Sequence, residues 1–295
     1  MKELILIDFS WLYNRYYYTS ICDVTYHIKK HERNQEKEKI KERLEHSLMK
    51  FLNYVHKFYP EAKIMMALDP FNSTLKNKLI FEGYKQNRDK EAKKDVYFHL
   101  VDIIKSLFTK LDPHSFSFLK EKGYEADQLI AFLTQKYYKT HKIIIYSGDK
   151  DLLQLTAYSN VFVSDKFERG KFIIKTDKEI FEKFKNYKGE DFSRISTNKK
   201  DILKYRSLKG DPSDNLDPVF PRIKDKEIAE IIQNHWTGNQ KEALTDKDIK
   251  RILKGLEESN PELAGKLRRN KKVWLRNYQI MDLFHIGDIK IRRLM

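Results

Sequence analysis

Five short apolar runs, separated by stretches of helical periodicity, set the tightest limit on how this chain folds. They are Leu4–Ile7, Ile64–Leu68, Phe116–Leu119, Ile143–Tyr146 and Val161–Val163. Runs of this length are too short for a buried helix and suit strands covered on both faces. Between them, Ile40, Leu44, Leu48, Phe51, Leu52 and Val55 recur at steps of three and four, as do Leu100, Ile103, Ile104 and Leu107, and then Leu129, Ile130 and Leu133. That spacing places one apolar stripe on each helix. Strands alternating with such helices predict an α/β fold with a central parallel sheet flanked by helices.

The pattern changes after residue 176. Residues 177–295 read as helices and turns with basic stretches at Asn198–Lys200 and Lys266–Lys272, so the chain divides into an α/β core, 1–176, and a helical region, 177–295. Two segments resist the sheet reading. Residues 20–36 look like a polar insertion. Residues 85–95 (KQNRDKEAKKD) are densely charged and have no apolar face. Such a run cannot offset its own ordering entropy by burial, so it is expected to be mobile until a polyanion passes it.

With 58 Lys and Arg against 43 Asp and Glu, the net charge is +15. A surplus of that size favours a polyanionic partner, and nucleic acid is favoured over a membrane because no cationic helix here has a clean apolar face. No apolar run approaches the length of a membrane span. The first apolar run is followed at once by Asp8, unlike a signal peptide. The one cysteine, Cys22, cannot form an intrachain disulfide, which fits a reducing cytoplasm.

Acidic residues recur just past the carboxyl ends of these runs. Asp8 follows the first, Asp69 the second, Glu125 and Asp127 the third after a short connection, and Asp149 and Asp151 the fourth. In an open parallel sheet these ends share one edge, where ligands bind. Residues two apart in non-helical backbone project to one side, so each pair is expected to aim two carboxylates at one point. A single acid after a strand is usually a helix cap or turn residue. Six of them at four strand ends, in a basic chain, point to hard divalent cations, Mg²⁺ with Mn²⁺ as a substitute. The nine histidines show no zinc spacing.

The segments LIDFS (Leu6–Ser10), LDP (Leu68–Pro70), YKQNR (Tyr84–Arg88), GYEAD (Gly123–Asp127), SGDKDLLQL (Ser147–Leu155) and GDPSDNL (Gly210–Leu216) occur in an order that resembles the flap endonuclease / 5′–3′ exonuclease family. The chain is most similar to the bacteriophage RNase H type of 5′ nuclease and also resembles the 5′-nuclease domain of bacterial DNA polymerase I. The resemblance covers roughly residues 1–235 and implies a PIN-like nuclease core, a helical arch around 71–112 and a helix–three-turn–helix around 210–235. It implies two Mg²⁺ ions. Asp8, Asp69, Glu125 and Asp127 would form one site, and Asp127, Asp149, Asp151 and Asp214 the other, with Asp211 as an outer contributor. Lys85 would neutralise charge on the scissile phosphate and Arg88 would grip a neighbouring one. For Tyr84, stacking on a terminal base and plain core packing both remain open. Lys76, Lys78, Asn215, Arg222, Lys224 and Lys226 would contact nucleic acid.

The implied function is structure-specific hydrolysis near the 5′ ends of DNA flaps or RNA:DNA duplexes, by a monomer in the cytoplasm (the host's, if phage-encoded), during phage replication and RNA primer removal. A single-stranded DNA-binding protein or a sliding clamp is the partner to test. The chain departs from the family pattern in three places. Gln128 stands where a further aspartate is frequent, Asn77 lies near the position of an arginine, and the hairpin turn Asp217–Lys224 (DPVFPRIK) has no glycine. The competing reading is a binding protein that keeps the fold without cutting. A strand-end phosphatase would want an acid where Ser10 stands, and a dinucleotide enzyme would want a glycine-rich first turn.

Overall fold

The first strand, β1 (Lys2–Asp8), lies at the centre of the sheet because its four apolar residues are buried on both faces. The structure is a computed structural model and describes residues 1–22, 33–70, 72–87, 100–184, 192–237, 243–289 and 292–293. β1 pairs in parallel with β2 (Lys63–Ala67) on one side, which pairs with β3 (Phe116–Lys120). On the other side it pairs in parallel with β4 (His141–Tyr146), which pairs with β5 (Val161–Ser164). The five expected strands are therefore present and parallel, in the order β5-β4-β1-β2-β3. The chain leaves β1 toward β2 and later returns to its other side for β4, which makes the carboxyl edge beside β1 a topological switch point.

Alternation along β1 sends Leu4 and Leu6 to one face and Ile5 and Ile7 to the other. The second face is covered by three helices, Phe9–Cys22, Arg33–Phe58 and Leu100–Lys110, through Phe9, Leu12, Leu44, Leu48, Ile103 and Leu107. Each fully buried aliphatic side chain contributes roughly 1.5–3 kcal/mol. The first face is covered by the helix Ala126–Tyr137 and continues into one core with the helical carboxyl-terminal region. That region holds the helices Asp177–Glu182, Asp201–Lys209, Asp225–Glu230, Asp246–Ser259, Pro261–Arg269 and Lys271–Met281.

Three strands were not expected. A hairpin of β6 (Phe167–Glu168) and β7 (Lys171–Phe172) turns through Arg169 and Gly170, both at positive φ. β8 (Arg292–Arg293) adds antiparallel to the β3 edge. Segment 20–36 is helical up to Cys22 and from Arg33, and 23–32 lies outside the described residues. So does 88–99, which holds Arg88 and most of the charged run 85–95. Among the described residues, no helix is long and apolar enough to cross a membrane.

Candidate metal centre and its cationic neighbours

The strand ends bring the acidic residues to one edge of the sheet, where short hydrogen bonds fix each in place. Asp8 closes β1 and is 7% exposed. Its Oδ1 accepts from the Trp11 N–H at 2.9 Å and its Oδ2 from the Ser147 hydroxyl at 2.9 Å. The same Ser147 oxygen accepts from the Asp149 N–H at 3.0 Å, so one serine ties the end of β1 to the loop after β4. Ser10 does the equivalent for β2, accepting from the Asp69 N–H at 2.9 Å. Asp69 then accepts from the Ala126 N–H at 2.8 Å. It thereby caps the Ala126–Tyr137 helix from across the sheet, satisfying a first-turn donor that the helix itself leaves unpaired.

The two acidic pairs are built differently from the strand-like geometry expected of them. Glu125 is the N-cap of the Ala126–Tyr137 helix and Asp127 lies in its first turn. A helix N-terminus, not backbone alternation, therefore brings them together; the Gln128 N–H donates to Asp127 Oδ1 at 2.7 Å, and the helix dipole favours their charge. Asp149 accepts from the Asp151 N–H at 2.9 Å, a local turn that leads into the 3₁₀ segment Asp151–Ala157. Asp151 pairs with Arg206.

Burial drives the electrostatics. It pushes the Asp8 carboxyl up to about 7, helped by Asp69 and, against hydrogen bonds from Trp11 and Ser147, by Asp149. Burial also holds Asp127 well above the usual carboxylate range, with Glu125, Asp149 and Asp69 adding repulsion and Lys85 opposing it. Asp151 is raised to about 7 by burial and neighbouring aspartates despite Arg206. Asp211 goes the other way. Burial raises it, but Ser213, Arg206 and Lys150 outweigh that and leave it at about 2.

Two cations are built into the cluster. The Lys85 ammonium pairs with Glu125 Oε1 and lies 3.8 Å from Asp214 Oδ2. The Tyr84 hydroxyl donates to Glu125 Oε2 at 2.8 Å and to Asp214 Oδ2 at 3.2 Å. The residue is 3% exposed, so of its two open roles the buried one fits this structure. The second cation, Arg206, was missed by the sequence reading. It is 4% exposed and pairs with both Asp151 and Asp211. Lys150 reaches the same Asp211 Oδ2 at 3.0 Å. The one signal in the sequence was a basic residue amid the apolar positions of the segment leading to GDPSDN.

The donor set is all oxygen, buried or half-buried and mutually repelling, which is the chemistry a hard divalent cation offsets. The residues fit such ions. As they stand, however, no three acidic, histidine or cysteine side chains among the described residues enclose an ion. Glu125, Asp151 and Asp211 are turned to the internal cations Lys85 and Arg206 instead.

Next to the cluster, the Asp201–Lys209 helix ends at Gly210, whose φ of 76° puts a Cβ 2.5 Å from the Leu216 carbonyl oxygen. Only glycine fits there. Asp211 and Leu216 then exchange both backbone hydrogen bonds, at 2.8 and 2.9 Å. The turn reverses with Asn215 at φ 60° and again with Arg222 at φ 60°, so left-handed residues recur here without glycine. Arg222, Lys224 and Lys226 are exposed around the start of the Asp225–Glu230 helix. Asn215 is directed inward, donating to the Gly83 carbonyl at 2.7 Å. Lys76 is exposed and lies over the Tyr124 ring at 3.7 Å, and Lys78 is half-buried.

Residues 3–185 match the family described as 5′-3′ exonuclease, N-terminal resolvase-like domain. A 5′-3′ exonuclease of Mycoplasmopsis pulmonis is 25% identical over 273 residues, covering 92% of this chain and 75% of that protein. A 5′-3′ exonuclease of Aquifex aeolicus is 28% identical over 217 residues, 73% of this chain and 63% of its own length. DNA polymerase I of Mycobacterium tuberculosis is 25% identical over 204 residues, 69% of this chain but 20% of the polymerase. Among solved structures, the T5 D15 protein co-crystallised with metal ions aligns with a TM-score of 0.64 at 16% identity, covering 96% of this chain and 90% of that one. A bacteriophage T5 D15 flap endonuclease pseudo-enzyme-product complex with DNA and metal ions aligns with a TM-score of 0.63 at 15% identity, with the same coverage. At these identities the structural likeness establishes a shared fold.

Proposed function

We propose, from the premise that this chain belongs to the 5′-3′ exonuclease family, that it is a Mg²⁺-dependent nuclease hydrolysing phosphodiester bonds near the 5′ ends of DNA flaps or RNA:DNA duplexes. The observation that carries this reading is the gathering of eight acidic residues, Asp8, Asp69, Glu125, Asp127, Asp149, Asp151, Asp211 and Asp214, around the carboxyl edge of the sheet and the turn beside it, with the Lys85 ammonium set against Glu125. Two ions, held by Asp8, Asp69, Glu125 and Asp127 and by Asp127, Asp149, Asp151 and Asp214, would supply a water made nucleophilic at neutral pH and stabilise the leaving oxygen.

The chain's own residues divide the remaining work. Lys85 neutralises charge building on the phosphate. Arg88, three residues on, serves an adjacent phosphate. Arg206 is shared between Asp151 and Asp211, and with Lys150 it holds Asp211 ionised. Arg222, Lys224 and Lys226 hold a duplex by its phosphates, which is independent of base sequence. The relatives crystallised with metal ions, one of them with DNA, support this reading. We place the activity in replication, on displaced or RNA-primed 5′ ends, with the protein acting as a cytoplasmic monomer recruited by a single-stranded DNA-binding protein or a sliding clamp.

The test is an assay of the purified protein with Mg²⁺ on matched 5′-labelled flap, nicked, gapped and RNA:DNA substrates. Cleavage close to the 5′ junction, lost with EDTA and restored by Mg²⁺ or Mn²⁺, is expected. Tight binding with no cleavage in either metal would instead establish a binding protein on a nuclease fold.

A further inference from the structure

Asn77 and Gln128 close a ring of hydrogen bonds around Glu125 that the metal and phosphate assignments leave unused. The Glu125 N–H donates to Gln128 Oε1 at 3.0 Å. Gln128 Nε2 donates to Asn77 Oδ1 at 3.3 Å, and Asn77 Nδ2 donates to Glu125 Oε2 at 3.1 Å. The directions are forced. A backbone N–H only donates, so Gln128 must present its oxygen to it. The Gln128 nitrogen then faces Asn77, which must accept there and donate to the carboxylate. Asn77 and Gln128 are 5% and 9% exposed, so water does not replace these contacts cheaply.

The ring acts on one oxygen. Glu125 Oε2 takes Asn77 and the Tyr84 hydroxyl, while Oε1 takes the Lys85 ammonium. The terminal torsion of a glutamate is otherwise broad, and a catalytic carboxylate needs it narrow. Both amides are neutral, so they fix the orientation without adding a cation. A carboxylate at position 128 could still accept from the Glu125 N–H but could not donate to Asn77, and the ring would open.

We propose that Asn77 and Gln128 are positioning residues, a neutral amide clamp that sets the rotation of the Glu125 carboxylate and so presents Oε1 to Lys85. Its catalytic consequence rests on the nuclease function proposed above. Gln128 on this account acts through Glu125 and is not itself a metal ligand.

Two near-isosteric variants test the clamp. Gln128→Glu removes the donor to Asn77, and Asn77→Asp removes the donor to Glu125 while keeping the acceptor for Gln128. In single-turnover cleavage of a 5′ flap with Mg²⁺, each is expected to slow the rate about 10- to 100-fold. The Kd for the flap should change less than about threefold and the Tm by only a few degrees. By NMR, the side-chain amide protons of Asn77 and Gln128 in the wild-type protein are expected to exchange slowly with solvent, and those of Asn77 to lose protection in Gln128→Glu. Wild-type cleavage rates in both variants, or losses confined to Kd and Tm, would overturn the positioning role. Fast exchange of both amides in the wild-type protein would overturn the clamp itself. That measurement needs neither nuclease activity nor a folded variant, so an inactive wild-type protein would count against the function and leave the clamp separately tested.

Discussion

Lys85 holds Asp214 at two points: its backbone N–H donates to the Asp214 carbonyl at 3.0 Å, and its ammonium lies 3.8 Å from the Asp214 carboxylate. The backbone contact comes with a φ of 55° at Lys85, a left-handed conformation that costs a non-glycine residue roughly 1–2 kcal/mol. Asn215 donating to Gly83 and Asn87 donating to the Pro212 carbonyl at 2.9 Å join the same two segments. Residues 83–87 and the Gly210–Leu216 turn are thus one unit, which sets the ammonium against the carboxylates.

Lys85→Ala should therefore reduce the single-turnover cleavage rate by ~10²–10³, because its contact with the phosphate strengthens as charge develops. Affinity for the flap should fall less than about tenfold. Saturating enzyme with a 5′-labelled flap separates the two effects. A variant that cleaves at the wild-type rate and differs only in Kd would make Lys85 a phosphate anchor.

Arg206→Met should destabilise the metal-free protein by about 3–5 kcal/mol, since it leaves Asp151 and Asp211 buried without their shared cation. Added Mg²⁺ should recover part of the loss by binding the native state. Urea denaturation with and without Mg²⁺ reads both. A change within about 0.5 kcal/mol would show that the pair is not structural.

Asp8 should give the stability of the metal-free protein a pH dependence. Its carboxyl is raised from 3.8 to about 7 on folding, so between those values the native state binds more protons than the unfolded chain. Stability from this group is full below pH 3.8 and is lost as pH rises through 7. Asp8→Asn should accordingly stabilise the metal-free protein at pH 8, by on the order of 1–3 kcal/mol, and do little at pH 4. Urea melts at the two pH values decide it, and an equal effect at both would remove Asp8 as the titrating group.

The parallel sheet was legible because Leu4–Ile7 and Ile143–Tyr146 are apolar runs buried on both faces, a pattern that needs no partner to be recognised. β8 was not, because Arg292 and Arg293 carry no apolar signal in the sequence. Asp8 and Asp69 could be read as acids following strands. Arg206, Asn77 and the Gln128 ring could not, because their roles exist only through space: Arg206 meets Asp151 from 55 positions away, and Asn77 meets Glu125 from 48. Glu125 and Asp127 were read as a pair on extended backbone, whereas a helix N-terminus presents them.

Binding to duplex should weaken steeply with salt. Each phosphate neutralised by a basic side chain releases counterions, giving a log–log slope of about −0.9 per contact. Removing one of Arg222, Lys224 or Lys226 should make the slope shallower by about 0.9. Fluorescence anisotropy over a salt series measures this, and a flat response would show that the +15 surplus is not a binding surface.

The most direct test of the central claim is single-turnover cleavage of a 5′ flap by Asp149→Asn and by Asp151→Asn, each with saturating enzyme and Mg²⁺. Each substitution removes negative charge from the carboxylate cluster while keeping side-chain shape. The account predicts that cleavage falls by several orders of magnitude in both, while flap affinity holds or rises as repulsion of phosphate drops. Near wild-type turnover in either variant would contradict a carboxylate-held metal centre.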